Sequence, residues 1–243
     1  MGRHKNVDFK YRKDYRELLK TDAEIKTLGR KYCLALGRDI KKGFKTCNVF
    51  EWLELLYDKN CAYCGIKEVM TADRIDNEKG YELGNFNPSC LICNTLRNKN
   101  FTSEEMRFYL GPAVANVIKA RLTRKELYWV PILETNENYL TYGDRKGGWS
   151  TLRKKDAAKG YFSGSCKDWA DTKLFKCVYC GNNDYVGVDR IDNSLGHIVG
   201  NMLPACKYCN VGRADNFTME EFGIFIGPAI REVLKRRKLK TTP

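Results

Sequence analysis

Eight cysteines arranged as four Cys-x-x-Cys pairs, in two sets with the same internal spacing, restrict this chain more than any other feature of its sequence. The pairs are Cys61/Cys64 with Cys90/Cys93, and Cys177/Cys180 with Cys206/Cys209. Every cysteine of the second set follows its counterpart by 116 positions, and so do Asp189 after Asp73, Phe217 after Phe101 and Gly227 after Gly111. Overlaid without a gap, residues 61–118 and 177–234 are identical at 26 of 58 positions. Average residue usage gives only about one match in fifteen by chance, so one unit is written twice. In a reducing compartment such spacing means metal rather than disulfides, and four thiolates are the set zinc takes as a closed structural tetrahedron. A thioredoxin-like redox role for single pairs fits poorly with their fourfold recurrence at fixed intervals. Cys33, Cys47 and Cys166 stand outside the pattern and read as ordinary thiols.

The surrounding sequence organises itself around these sets. Residues 1–130 read as a helical lead-in plus the first unit, 131–148 as a linker rich in Asn and Gly, and 149–243 as the second unit. Upstream, Lys42-Gly43-Phe44 before Trp52 resembles Lys159-Gly160-Tyr161 before Trp169, so each unit begins well ahead of its first cysteine. A hydrophobic share of 43% with 30% charged residues describes a globular chain, and no run approaches the roughly 18 apolar residues of a membrane helix. The first 20 residues are basic and aromatic without an apolar stretch, so no secretion signal is expected and the location is expected to be intracellular.

Within each unit the pattern predicts a lead-in helix at Asn48–Leu56 or Ser165–Leu174, a cysteine knuckle, a short β-hairpin, and a helix starting at the second pair. Thr102 with Glu105, and Thr218 with Glu221, have the spacing of capping boxes that open a further helix. Gly111-Pro112 and Gly227-Pro228 are expected to break that helix and start a last one. Between the cysteine pairs, Asp73-Arg74-Ile75-Asp76-Asn77 recurs as Asp189-Arg190-Ile191-Asp192-Asn193, and Asn94 and Asn210 follow the last cysteines. Arg97 and Arg213, three residues further along the helix, share a face with those asparagines. An Asp and an Asn oxygen from facing elements are hard ligands of the kind magnesium prefers.

Taken together, Cys-x-x-Cys-Gly, a hairpin Asp, Gly-Asn and Pro-x-Cys-x-x-Cys-Asn resemble the HNH nucleases, the ββα-metal group of treble-clef folds. The resemblance implies an α+β chain of two tandem treble-clef ββα-metal zinc modules with flanking helices. It implies two structural zinc ions on the cysteine tetrads, and magnesium or manganese at Asp73 with Asn94 and at Asp189 with Asn210. The family's general-base histidine directly after the hairpin Asp is replaced here by Arg74 and Arg190. A guanidinium cannot accept that proton, although it can grip a phosphate and stabilise developing charge. Some restriction enzymes of the family also carry Asp-Arg at this place, which implies that the site need not be dead. Tyr161, Tyr63 and Tyr179 are weak candidates for a substitute base, and His197, aligned with Tyr81, reads as a loop residue.

A net charge of +13 makes nucleic acid the leading partner, double-stranded DNA first, with Arg97 and Arg213 as candidate contacts and no membrane. Three functional readings follow. The first is a metal-dependent DNA endonuclease of restriction or homing type, acting as a pseudo-dimer within one monomeric chain, with Asp73, Arg74, Asn94, Asp189, Arg190 and Asn210 as its catalytic residues. The second is a nuclease-derived scaffold that kept its zinc, lost its chemistry and binds nucleic acid within a larger assembly. The third, a zinc adaptor between proteins, suits the charge poorly.

Overall fold

A computed structural model describes residues 21–136, 148–184 and 186–241. The chain is α+β and divides into two compact units, Met1–Ala115 and Asn116–Pro243. Among the described residues no helix is long and apolar enough to cross a membrane.

In the first unit α1 (Ala23–Lys42) starts at Asp22, whose carboxylate accepts the N–H groups of Glu24 and Ile25. It stops at Gly43, whose left-handed backbone turns its N–H back onto the carbonyls of Asp39 and Ile40. Then α2 (Val49–Leu56) opens on a capping box of Asn48 and Glu51. Its Trp52 is buried, donates its indole N–H to the Leu28 carbonyl of α1 at 3.2 Å, and packs against the rings of Tyr81 and Phe86. The knuckle follows, its turn completed by Gly65 at φ 75°, a left-handed conformation that favours glycine. Strands β1 (Thr71–Arg74) and β2 (Phe86–Ser89) pair antiparallel with Asp73 opposite Asn87. Cys90 ends the hairpin and caps α3 (Leu91–Arg97).

The last element of this unit departs from the expected break at Gly111-Pro112. Helix α4 (Ser103–Glu105), opened by the Thr102/Glu105 capping box, runs through a π turn (Met106–Leu110) directly into α5 (Gly111–Leu122). A proline has no N–H and its ring strikes the carbonyl four residues back; the wider π winding opens room for the ring, so the helix continues past Pro112. The Gly111 N–H accordingly donates to Met106, five residues back. A Cβ on Gly111 would lie 2.3 Å from the Tyr63 carbonyl oxygen, so the glycine is there to let the helix touch the knuckle rather than to end it.

The second unit repeats this order: α6 (Trp149–Ala158), α7 (Cys166–Thr172), β3 (Val186–Arg190), β4 (Met202–Cys206), α8 (Lys207–Arg213), α9 (Met219–Glu221), a π turn (Phe222–Ile226) and α10 (Gly227–Thr241). Gly227 again sits 2.3 Å, at its would-be Cβ, from the Tyr179 carbonyl oxygen. This unit begins at Asn116, inside α5, and its own first residues pack onto its later ones. Arg121 pairs with Glu221 at 2.6 Å, and Trp129 stacks on Tyr179 with ring centres 5.4 Å apart. Of the expected linker, Glu134 and Asn136 bond the backbone of Lys176 and Leu174 as an extended edge, and residues 137–147 lie outside the described residues.

Candidate functional site

Each unit gathers its four cysteines into one cluster, with every sulfur within 4.8 Å of the others. The Cys64 and Cys90 sulfurs are 3.7 Å apart and those of Cys180 and Cys206 3.6 Å. Zinc–sulfur bonds of about 2.3 Å arranged tetrahedrally require edges of about 3.8 Å, so both clusters have the dimensions of a closed zinc site. The Cys93 N–H points at Cys90 Sγ at 3.3 Å, as expected for a thiolate held at a helix start. The clusters tie the hairpin to the start of α3 or α8 and fix what the two elements present to each other.

What they present is a buried ion pair. Asp73 accepts from Tyr63 Oη at 2.6 Å and from Arg97 Nη1 at 2.8 Å. Asp189 accepts from Tyr179 Oη at 2.9 Å and is gripped by Arg213 through Nε at 2.5 Å and Nη2 at 3.1 Å. Burial raises the Asp73 carboxyl above its usual range against the pull of Tyr63 and Arg97, while burial and Asp73 push Tyr63 to about 12. Arg97 and Arg213 are each 2% exposed, which removes them from the surface role in binding nucleic acid that their helix face suggested. Arg97 Nε has no partner among the described residues, so the first unit's pair has one prong where the second's has two.

The asparagines turn their amide groups inward. Asn94 Nδ2 donates to Thr71 Oγ1 at 2.8 Å, and Asn210 Nδ2 to the Val188 carbonyl at 2.8 Å. Arg74 and Arg190 stand at the strand ends, each with one guanidinium N–H on a loop carbonyl, Lys79 or Leu195. Arg74 is braced by the ring of Tyr81 at 5.1 Å, whereas Arg190 is braced by Tyr161 at 5.6 Å.

In the second unit a cleft of about 360 Å³ brings Asp189, Arg190, His197 and Asn210 onto one wall system with Trp169 and Asn193. His197 was not among the catalytic residues expected from sequence. Its Nδ1 lies 3.0 Å from the buried Asp156 of α6, which also accepts the His197 N–H at 3.0 Å and the Ser163 hydroxyl at 2.8 Å. Burial holds the imidazole below its usual range, with Asp156 partly offsetting. For Asp156, burial is outweighed by the His197 and Ser163 hydrogen bonds, and the carboxyl is held below its usual range. The only signal in the sequence was the shared Asp before Lys-Lys-Gly-Phe and Ala-Lys-Gly-Tyr, 41 residues from the histidine it orients.

The fold and clusters define an α+β protein built on two four-cysteine metal sites. No family model matches the chain. An uncharacterised protein of Acanthamoeba polyphaga mimivirus is 30% identical over 185 residues, 72% of this chain, and the chain spans 32% of that protein's length. Among solved structures, the rare-cutting HNH restriction endonuclease PacI matches over 37% of this chain and 81% of its own, at 25% identity and a TM-score of 0.33.

Proposed function

We propose that the chain is a zinc-stapled, metal-dependent DNA endonuclease of HNH type, with a reaction centre in the cleft of the second unit. The observation that carries this reading is the convergence there of a carboxylate, an amide, a guanidinium and an imidazole. Each hairpin-and-helix pair is read as a treble-clef ββα-metal module, and the pair as a pseudo-dimer within one monomeric chain.

Oxygen donors at the site suit magnesium or manganese. A carboxylate offers about four accepting positions. Asp189 uses three on Tyr179 and Arg213 and Asp73 uses two on Tyr63 and Arg97, leaving room on each for a cation. Asn210 Oδ1 and Asn94 Oδ1 accept from no protein group among the described residues. Water and substrate phosphate complete such a shell. When bound, the ion polarises the scissile phosphate and stabilises its developing charge. Arg190, braced against Tyr161, keeps donors for the same phosphate, and Arg74 does so in the first unit. With Arg97 and Arg213 buried, phosphate contacts along the duplex fall to exposed cations such as Lys235 and Lys240 of α10, and the net charge of +13 favours them by counterion release.

A second reading rests on the same ion pairs. Asp73–Arg97 and Asp189–Arg213 are complete structural contacts, and a zinc scaffold that only binds nucleic acid would keep them for shape. Supercoiled plasmid with magnesium or manganese separates the two. The enzyme reading expects nicking by the wild type and its loss in Asn210→Ala, with zinc content and circular dichroism unchanged. Tight DNA binding without any nicking selects the scaffold.

A further inference from the structure

We infer that His197, oriented by Asp156, is the general base of the second unit, and that the first unit lacks one, so that the chain cuts a single strand. This rests on the nuclease reading and extends it to a residue outside the hairpin. Positions 81 and 197 are structurally equivalent: the Tyr81 carbonyl accepts from Cys47 N–H and the His197 carbonyl from Gly164 N–H, both at 2.7 Å. Asp39 likewise accepts the Tyr81 N–H at 2.8 Å and the Thr46 hydroxyl, as Asp156 accepts those of His197 and Ser163. One skeleton therefore carries two different side chains.

In the second unit the buried Asp156 carboxylate accepts from Nδ1, which fixes the tautomer with its lone pair on Nε2. Nε2 has no hydrogen-bond partner among the described residues, and His197 lines the cleft beside Arg190, Asp189 and Asn210. Trp169 holds the imidazole edge-on at 6.1 Å between ring centres. In hydrolysis Nε2 takes a proton from a water molecule as the water oxygen forms the new bond to phosphorus. The bond from phosphorus to the sugar oxygen breaks, the leaving alkoxide takes a proton from solvent, and the imidazolium returns its proton to solvent. In the first unit Tyr81 supplies no imidazole nitrogen, and its ring is the brace beneath Arg74. The second unit moves that brace to Tyr161, which leaves position 197 to the histidine.

Strand counting on supercoiled plasmid with manganese tests this with the full chain. The wild type accumulates nicked circles. His197→Asn keeps a donor for Asp156 but has no basic nitrogen, and it lowers the nicking rate about 100-fold or more with DNA binding and zinc content retained. Asp156→Asn, a positioning change, lowers kcat with KM unchanged. Tyr81→His combined with Phe44→Tyr, which puts a ring beneath Arg74 as Tyr161 lies beneath Arg190, yields linear DNA by enabling the second cut. Nicking by His197→Asn at the wild-type rate overturns the inference and leaves the nuclease reading standing. Direct linearisation by the wild type overturns the one-strand assignment, and only nicked product from the Tyr81→His/Phe44→Tyr variant overturns its attribution to the missing base. A wild type that cuts nothing overturns both the inference and the reading beneath it.

Discussion

Where a loop closes over the hairpin, the first unit places Tyr81 and the second His197, and the aspartates that hold that loop are used differently as a result. Asp39 meets a backbone N–H and a threonine hydroxyl; Asp156 meets the same kinds of group and an imidazole nitrogen as well. The hairpin ion pairs differ in the same direction, one prong in the first unit and two in the second. The repeat gives both halves one skeleton, and at this loop what separates them lies in side chains that the shared backbone hydrogen bonds do not specify. Perturbations of decreasing severity should show how far the two halves share one skeleton.

Chelation is the strongest. Structural zinc contributes about 10–16 kcal/mol of binding free energy that is also folding free energy. Removing it should abolish the circular dichroism of the hairpin–helix cores in both units alike, and a unit that keeps its fold would show that its tetrad is dispensable. Next come the buried guanidiniums. Arg213→Ala strands Asp189 and should cost about 3–5 kcal/mol in urea unfolding, as is usual for one half of a buried pair. Arg97→Ala should cost less, because it removes a single prong and an Nε that has no partner. Equal losses would erase the distinction between the pairs.

The glycines at the knuckles should give a smaller effect of similar size in both units. Gly111→Ala and Gly227→Ala each drive a methyl to 2.3 Å from a carbonyl oxygen and should cost about 1–3 kcal/mol by thermal unfolding. Acid should then separate the units mildly. Burial disfavours the His197 imidazolium, helped by Arg190 and opposed by Asp156 and Asp189. The neutral ring therefore stabilises the second unit fully above the ordinary histidine value of 6.5, and that contribution is lost as pH falls through the lower folded value. Asp156, held below its usual range, loses its own contribution at lower pH still. The unfolding midpoint of the second unit should drop more than that of the first as pH falls below 6.5, and His197→Asn should remove the difference.

Much of this was legible in the sequence because the constraints are local. The cysteine intervals gave the two clusters, and the Asn48, Thr102, Ser165 and Thr218 caps lie where short-range hydrogen bonding puts them. Gly-Pro misled because the local rule for proline assumes α winding, and a π turn satisfies it differently. Helical spacing put Arg97 and Arg213 beside the asparagines but could not say that this face looks into the hairpin rather than at solvent. The partnership of His197 with Asp156, and the docking of Trp129 and Asn136 on the second unit, join residues far apart in the chain, where no periodicity points.

All of these comparisons presuppose a metal ion at the heart of each unit. Elemental analysis of the purified full chain tests that most directly: the account predicts two zinc ions per polypeptide, one in Cys93→Ser and one in Cys209→Ser. A folded chain that contains none contradicts it.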